Sequence, residues 1–176
     1  PRGVGGGRLP GRDGLAKITL LGDEATVREQ LRVQIGDAAA PAGLGVIDPR
    51  TSEHADALAD ALFERRKHKG VDRARAARDS LDTLNFAALM VHTGLADGTV
   101  AGAVATTAQT VRAALQMIGK QPDAGAVSSF FLMVLDPARH GEKAGAYIFS
   151  DAGLTIEPTV DELAGIVQAS ADSFGL

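Results

Sequence analysis

Short apolar runs alternate with amphipathic helical patterns between residues 17 and 92, and this alternation limits the possible folds more than any other feature. An apolar run rich in aliphatic residues predicts a strand, whereas apolar residues that recur every three or four positions predict a helix. The predicted elements are a strand at 18–21, a helix at 24–33, a strand at 44–47, and helices at 52–68, 72–81 and 84–92. Strands that alternate with helices are joined by right-handed crossovers and pair in parallel. The sequence therefore predicts an α/β fold, a parallel-sheet α/β/α sandwich with helices on both faces of the sheet.

The composition changes after Lys120, where the segment QPDAGA marks a predicted domain boundary. Residues 127–135 form a nearly continuous apolar run, which is typical of a strand buried on both faces. A second strand at 146–150 could pair with it across the polar loop that separates them. Thr159 and Glu162 then have the T-x-x-E spacing of a capping box, which predicts the start of a helix.

The chain divides into three predicted regions. Residues 1–16 are a Gly-rich tail, residues 17–122 are a partial first α/β domain, and residues 123–176 are the truncated start of a second α/β domain. The tail contains the segment GVGGGR, which fits neither G-x-G-x-x-G nor G-x-x-x-x-G-K-[ST]. We therefore do not expect the tail to bind phosphate.

Composition and charge are those of a globular chain. Of its 176 residues, 45% are hydrophobic, and 18 basic against 22 acidic residues give a formal charge of −4. This balance argues against a nucleic-acid or anionic-membrane partner. The absence of cysteine excludes a thiolate nucleophile and makes a cytoplasmic location the default expectation. No metal site is expected, because the histidines lack ligand spacing; they are His54, His68, His92 and His140.

A Gly-rich strand end that leads into a helix is predicted near residue 100. Thr99–Ala101 is interpreted as a short strand, Gly102 as a point where the backbone approaches a ligand, and Thr106 or Thr107 as the helix N-cap. Free N–H groups and the positive end of the helix dipole favour an anion there. Arg112, further along the same helix, would add a fixed positive charge. A phosphate group suits such a site.

Five consecutive basic or potentially basic residues, at 65–69, end the predicted helix at 52–68 and are followed by Gly70. Cations at a helix C-terminus are favoured by the helix dipole, and glycine commonly follows the last turn. The run by itself therefore indicates a solvated, well-capped helix end. A ligand-binding role needs support from elsewhere in the chain.

That support comes from a series of motifs that occur together. In sequence order they are ERRKHKG at 64–70, GLADGTVAGA at 94–103, TAQTVR at 107–112, AVSSFF at 126–131, FSDAG at 149–153 and PTVDELAGIVQASADSF at 158–174. Their order and spacing resemble those of the phosphate acetyltransferase (phosphotransacetylase) family. The resemblance extends over about residues 18–176, and several separate motifs agree.

The resemblance implies a fold and a reaction. The fold would be that of a two-domain α/β enzyme of the isocitrate/isopropylmalate dehydrogenase type, of which this chain looks like the first half. The reaction would be reversible acetyl transfer between coenzyme A and phosphate, with CoA as a co-substrate and no further cofactor. Acetyl phosphate, phosphate and CoA would be the ligands, and the complete enzyme would be a homodimer.

The resemblance also implies roles for particular side chains. Arg66 and Arg112 match two family arginines associated with the acyl phosphate and CoA, and we expect them to position and neutralise charge. The family's proposed base lies in its C-terminal part, so no base is nominated. Substrate-binding hydroxyls are expected from two clusters, each of which also has a structural interpretation as caps; they are Thr106, Thr107, Thr110, Ser128 and Ser129.

Two other functions fit the same motifs. Domains that resemble this family also occur as regulatory segments, so a non-catalytic acyl-CoA-sensing module is one alternative. The other is a phosphate butyryltransferase, which shares the fold and differs in the width of the acyl pocket.

For Asp151, which matches a family aspartate, turn formation is expected.

Overall fold

The computed structural model describes residues 16–35, 43–122 and 127–175. It contains two compact units that divide between Gly119 and Lys120. The Gly-rich tail predicted at 1–16 lies outside the described residues, apart from Ala16.

In its described residues, the first unit combines a parallel strand pair with five α-helices. Strands β1 (Ile18–Leu21) and β2 (Leu44–Ile47) run parallel, with Ile18 opposite Leu44. The predicted mixed α/β fold with a parallel sheet is confirmed. The helices are α1 (Glu24–Ile35), α2 (Ala55–Arg66), α3 (Arg73–Asp79), α4 (Thr83–His92) and α5 (Thr107–Met117).

Side-chain caps explain where α3 and α4 begin. The Asp72 carboxylate accepts a hydrogen bond from the backbone N–H of Arg75 at 2.7 Å, which satisfies a free donor of the first turn of α3. Asp82 does the same for α4 through the N–H groups of Leu84 and Asn85, at 3.0 and 3.1 Å. Both helices were predicted from the sequence within one or two residues of these starts.

The predicted strand at Thr99–Ala101 is wrong. These residues lie in an irregular segment between α4 and α5, and no described strand pairs with them. Val100 is fully exposed, so the segment also lacks the half-buried face that stabilises a strand. Flanking glycines at 98 and 102 weaken strand formation further.

Apolar side chains of α2, α4 and α5 form the core of the first unit. Leu58 and Leu62 of α2 and Phe86 and Leu89 of α4 are almost completely buried, and Met117 of α5 joins them. The apolar positions recur at helical spacing, so each helix contributes one face to the core.

Arg65 connects the end of α2 to the end of α5. Its Nε donates to the carbonyl of Gln116 at 2.9 Å and its Nη2 donates to the carbonyl of Ile118 at 2.5 Å. The last carbonyls of a helix have no partner within the helix, and a cation is favoured beside them. Gly119 follows with φ +94°, and a Cβ there would collide with the Arg65 guanidinium. Arg65 therefore caps α5 from a neighbouring helix.

The second unit contains an antiparallel strand pair and a long helix. Strands β3 (Phe130–Leu135) and β4 (Gly145–Ser150) pair with Phe130 opposite Ser150, as predicted from the two apolar runs. Helix α6 (Pro137–His140) lies in the connection, and α7 (Val160–Phe174) follows β4. Among the described residues, no helix combines the length and the apolar character needed to cross a membrane.

The burial predicted for the strand at 127–135 is wrong. The strand begins at Phe130. Its side chains are exposed on both faces at residues 130–134, and Leu135 is half-buried. An apolar strand is buried only when other layers cover it. Within the described part of the second unit, α7 packs against β4 and leaves most of β3 uncovered.

The predicted capping box at the start of α7 is confirmed. The Thr159 hydroxyl accepts a hydrogen bond from the N–H of Glu162 at 3.3 Å, and the Glu162 carboxylate accepts one from the N–H of Thr159 at 2.8 Å. Each side chain satisfies a backbone donor of the other residue.

Asp151 organises the turn that follows β4. Its carboxylate accepts hydrogen bonds from the Thr155 N–H at 2.6 Å, the Ser129 hydroxyl at 2.8 Å and the Gly153 N–H at 3.2 Å. These donors stabilise the ionised form, the Thr155 N–H most and the Ser129 hydroxyl next, and hold the pKa of Asp151 well below its usual range. Turn formation, which was expected for this residue, is confirmed.

Replacing Arg65 should destabilise the first unit. Arg65→Ala removes two hydrogen bonds from a charged donor, each of a kind that contributes about 1.5–3 kcal/mol. The free energy of unfolding, measured by urea titration, should fall by at least one such amount. Arg66→Ala is the matched control, because Arg66 makes no side-chain hydrogen bond or ion pair to the described residues. An equal loss in both variants would contradict the capping role of Arg65.

Replacing Asp151 should destabilise the chain in a pH-dependent way. Because folding lowers the pKa of Asp151, the stability that its ionised form contributes is complete above the unfolded value of about 4 and is lost as the pH falls through the lower folded value. Asp151→Asn should therefore lower the melting temperature at pH 7, and the difference should shrink below pH ~4. Asp136→Asn is the control, because Asn also caps helices well and Asp136 caps α6. A difference that persists unchanged in acid would contradict this assignment.

Candidate functional site

The two predicted catalytic arginines lie in the first unit. Arg66 is the last residue of α2 and is half-buried, and Arg112 lies in the middle of α5 and is exposed. The adjacent Arg65 fixes the end of α5 against α2, so one neighbour of Arg66 already joins the two helices.

Most of the described arginines of the first unit have an anionic or carbonyl partner. Examples are Arg50, which pairs with Asp48 at 2.8 Å, and Arg73, which pairs with Asp60 at 2.5 Å. Among the described residues, the arginines of this unit without a side-chain hydrogen bond or ion pair are Arg66, Arg78 and Arg112. Both predicted catalytic arginines are therefore available to an external anion.

Arg66 differs from the other two unpaired arginines in its burial. Arg78 and Arg112 are exposed, so water solvates their guanidinium groups, whereas Arg66 is half-buried. An anion that bound at Arg66 would give its guanidinium the partner that the described residues do not supply.

The basic run at 65–69 ends as a capped helix, as one interpretation predicted. A turn of 3₁₀-helix at Lys67–Lys69 tightens the end, and Gly70 follows in the left-handed region with φ +79°. Lys67 also forms an ion pair with Glu64. Capping and ion pairing thus account for Arg65 and Lys67. The side chain of Arg66 has neither role among the described residues.

The helix start predicted at Thr106 or Thr107 is confirmed, with Thr106 as the N-cap of α5. Its hydroxyl accepts a hydrogen bond from the Gln109 N–H at 3.2 Å, and the Gln109 side chain accepts one from the Thr106 N–H at 2.8 Å. The Thr110 hydroxyl donates to the Thr106 carbonyl at 3.1 Å. Thr107 is exposed and makes no side-chain hydrogen bond to the described residues.

The segment before α5 was predicted to bind an anion, with Gly102 at a point of close backbone approach. Gly102 has φ +106°, a conformation that favours glycine, although a Cβ at this position would meet nothing within 4 Å. Among the described residues, the backbone conformation is therefore the reason for glycine at this position, and the approach of a ligand to Gly102 stays a prediction. The segment stays exposed from residue 97 to residue 104.

The two predicted serines lie in the second unit, just before β3. The Ser129 hydroxyl donates to the Asp151 carboxylate at 2.8 Å, which gives it a structural role. Ser128 is half-buried and makes no side-chain hydrogen bond to the described residues.

Sequence patterns did not reveal a groove between α2 and α3. It has a volume of about 400 Å³ and contains Phe63, Asp60 and Arg73, whose guanidinium lies 4.5 Å from the centre of the Phe63 ring. The ion pair with Asp60 already gives Arg73 an anionic partner, and Asp56 leaves the lining of the groove with a net negative charge. The groove contains none of the predicted site residues, so it does not replace Arg66 and Arg112 as the candidate site.

The chemistry of these unpaired groups is that of phosphate binding. A guanidinium presents N–H donors in a planar fork that matches two oxygens of a phosphate, and such charge-assisted bonds are short and strong. Two unpaired guanidinium groups and the N-terminus of α5 all lie in the first unit. Each is a group that attracts an anion.

Comparison with known proteins supports this chemistry. The family model described as phosphate acetyl/butaryl transferase matches residues 11–175. The phosphate acetyltransferase of Paracoccus denitrificans is 44% identical over 160 residues, which cover 91% of this chain and 45% of the relative. The phosphate acetyltransferase of Treponema pallidum is 40% identical over 161 residues, which cover 90% of this chain and 46% of the relative. The phosphotransacetylase structure from Streptococcus pyogenes matches with a TM-score of 0.74 at 32% identity, covering 93% of this chain and 48% of that one.

The match extends along nearly all of this chain, which spans about half the length of the relatives. It confirms the resemblance that the motifs indicated. The chain belongs to the phosphate acetyl/butyryl transferase family.

Proposed function

We propose that this chain takes part in the reversible transfer of an acetyl group between coenzyme A and phosphate (acetyl-CoA + phosphate = CoA + acetyl phosphate). The names of the relatives support acetyl transfer. The observation that carries the proposal is Arg66, a half-buried cation that has no anionic partner among the described residues. A phosphoryl group would supply that partner.

The reaction needs a nucleophile, a departing anion and a proton acceptor. The CoA thiolate attacks the carbonyl carbon of acetyl phosphate, a C–S bond forms, and the C–O bond to phosphate breaks with its electron pair on the phosphate oxygen. The thiol proton passes to a base, because the thiolate is the reactive form. The family resemblance locates that base in the half of the relatives that this chain does not match.

Arg66 and Arg112 would act on the departing phosphate. Negative charge grows on the phosphate oxygens as the C–O bond breaks, and preorganised cations stabilise that charge without reorganisation. A bidentate guanidinium also fixes the direction of the phosphate and holds the carbonyl in line with the thiolate. We assign both arginines to positioning and charge neutralisation.

The hydroxyl groups of the predicted substrate-binding residues differ in whether they already make hydrogen bonds within the chain. Thr107 and Ser128 have no partner among the described residues and are the stronger candidates for substrate binding. The hydroxyls of Thr106, Thr110 and Ser129 already bond within the chain, so a ligand role for them would use their remaining hydrogen-bonding capacity.

Other features of the complete enzyme remain part of the proposal. The parallel pair β1–β2 and the separate second unit support an isocitrate/isopropylmalate dehydrogenase-type architecture. The family resemblance supports a homodimer, the three ligands named above and the use of CoA as co-substrate with no further cofactor. The lack of cysteine and the acidic net charge support a cytoplasmic enzyme that binds neither nucleic acid nor membrane.

Two alternatives are distinguished by turnover. The family description includes butyryl as well as acetyl transfer, so the rates with acetyl phosphate and butyryl phosphate should be compared. An acyl-CoA-sensing module would bind acetyl-CoA and produce no thioester under any condition.

The 176-residue chain alone should form little acetyl-CoA from acetyl phosphate and CoA. The reason is that the resemblance locates the base in the half of the family that this chain does not match. Thioester formation is measured with purified chain, and buffer without protein is the control. Robust turnover would show that a sufficient base lies within these residues.

Arg112 can be tested in a protein that joins this chain to the half of the Paracoccus denitrificans relative that it does not match, called here the joined protein. Substitutions at Arg112 should lower its kcat/KM by different amounts. Arg112→Gln should lower kcat/KM by about 100-fold or more, the loss expected when a donor to developing charge is removed. Arg112→Lys should lower it less, because a point charge remains while the fork is lost. Arg78→Gln is the matched control, since Arg78 is another exposed and unpaired helical arginine. Equal rates in the unsubstituted protein and both Arg112 variants would remove Arg112 from the site.

A further inference from the structure

We propose that Arg65 is a positioning residue for phosphate binding, because its hydrogen bonds to the end of α5 fix the separation between Arg66 and Arg112. The two bonds from Arg65 to the carbonyls of Gln116 and Ile118 are called the Arg65 clamp below. The proposal rests on the proposed function, since it takes Arg66 and Arg112 as the groups that bind phosphate.

The clamp lies close in the chain to both of these arginines. Arg65 directly precedes Arg66, the last residue of α2. Arg112 lies one helical turn before Gln116, which is about 6 Å along the axis of α5. Residues at this spacing lie on the same side of a helix. The clamp therefore joins α2 to α5 next to the first predicted phosphate-binding arginine and about one turn from the second.

The clamp is the directional connection between these two helices. Helix α5 packs more extensively against α4 than against α2. Met117 of α5 does reach the apolar core that contains Leu58 and Leu62 of α2, but apolar contacts are non-directional and do not fix one orientation. Among the described residues, no other side-chain hydrogen bond joins α2 to α5. The orientation of the two helices thus depends on Arg65.

The geometry of the clamp is well defined. The Arg65 Nε donates at 2.9 Å and its Nη2 donates at 2.5 Å, as expected of short bonds from a charged donor. The guanidinium is planar, so bonds to two carbonyls fix the orientation of its plane as well as its position. The negative end of the α5 dipole attracts the same cation.

Gly119 leaves space for the guanidinium of the clamp. Its φ is +94°, and a Cβ there would collide with the Arg65 Nη2. That atom is the end of a flexible side chain, so Gly119→Ala would displace it and break its bond to the Ile118 carbonyl. No charge is removed by this substitution. It therefore separates the clamp from the charge of Arg65.

A fixed separation favours phosphate binding because two guanidinium groups bind one phosphate only when both can reach it. With the clamp in place, the helices are already arranged before the ligand arrives. Without it, binding must also restrict the movement of α5 relative to α2, which lowers the affinity. The affinity for phosphate should therefore depend on Arg65, although the side-chain bonds of Arg65 go to the helix end.

Phosphate titration of the 176-residue chain tests the proposal. Inorganic phosphate is added to the isotopically labelled chain, and the Kd is obtained from the amide NMR signals of α5 and the end of α2. Arg65→Gln should raise the Kd by about tenfold, because preorganisation is lost. Arg65→Lys should recover only part of the affinity, because lysine keeps the charge and loses the planar fork. Full recovery with lysine would assign the effect to charge alone and overturn the clamp.

Gly119→Ala tests the clamp with the charge of Arg65 intact, and it should also raise the Kd. Gly43→Ala is the matched control, because Gly43 has φ +86° and a Cβ there makes only ordinary contact with Lys17, at 3.6 Å. Both substitutions place alanine in a strained backbone conformation, but Gly43→Ala should leave the Kd unchanged. Equal effects of the two would overturn the clamp. Circular dichroism verifies that each variant is folded, and Gly119→Ala and Arg65→Lys decide the result if Arg65→Gln is not.

A distance measurement tests the arrangement of the helices without any ligand. The chain has no cysteine, so spin labels attached after Ala57→Cys and Ala108→Cys mark exposed sites on α2 and α5 alone. Pulsed electron paramagnetic resonance should give a broader distribution of label distances with Arg65→Gln. Arg78→Gln is the control and should leave the distribution unchanged. A distribution that Arg65→Gln does not broaden would overturn the proposal.

The positioning role and the proposed function fail in different ways. A broader distance distribution with an unchanged Kd would overturn the positioning role of Arg65 and leave the proposed function intact. Arg112→Gln tests the proposed function in the same titration and should weaken phosphate binding. If Arg112→Gln leaves the Kd unchanged, or if the unsubstituted chain binds no phosphate, the proposed site is contradicted and the positioning role is overturned with it.

Discussion

The pair of hydrogen bonds from Arg65 to the end of α5 supports the arrangement of the candidate site. They join the helix that ends at Arg66 to the helix that carries Arg112. The cation satisfies carbonyls that a helix end leaves without partners, and glycine at 119 leaves space for the guanidinium. Two adjacent arginines thus have different roles, because Arg65 is used for structure and Arg66 is left without a partner.

The same division between structure and chemistry applies to the hydroxyl groups. Thr106 closes a capping box and Ser129 donates to Asp151, so both stabilise the backbone that surrounds them. Their neighbours Thr107 and Ser128 are left available. A run of similar residues in a family motif therefore contains members with unlike functions, and the hydrogen-bond partners distinguish them.

The second unit differs from the first in how its apolar residues are used. In the first unit, Leu58, Leu62, Phe86 and Leu89 come together from two helices and exclude water. In the second, the apolar residues of β3 remain exposed because one helix cannot cover both faces of a sheet. The two described strands nevertheless pair along their whole length, since backbone hydrogen bonds between β3 and β4 depend only on those two segments.

Local patterns in the sequence determined helices α1 to α5 and α7, the strands β1 to β4, the pairing of β3 with β4, and the family to which the chain belongs. They did not indicate the short helix α6, which lies in the predicted polar loop. These features depend on residues close together in the chain or on motifs that can be read directly. The tertiary structure decided which arginines are free, because the partners of Arg65 lie 51 and 53 positions away. It also decided that Thr99–Ala101 is not a strand and that β3 is exposed, because pairing and burial depend on neighbours that no local pattern reveals.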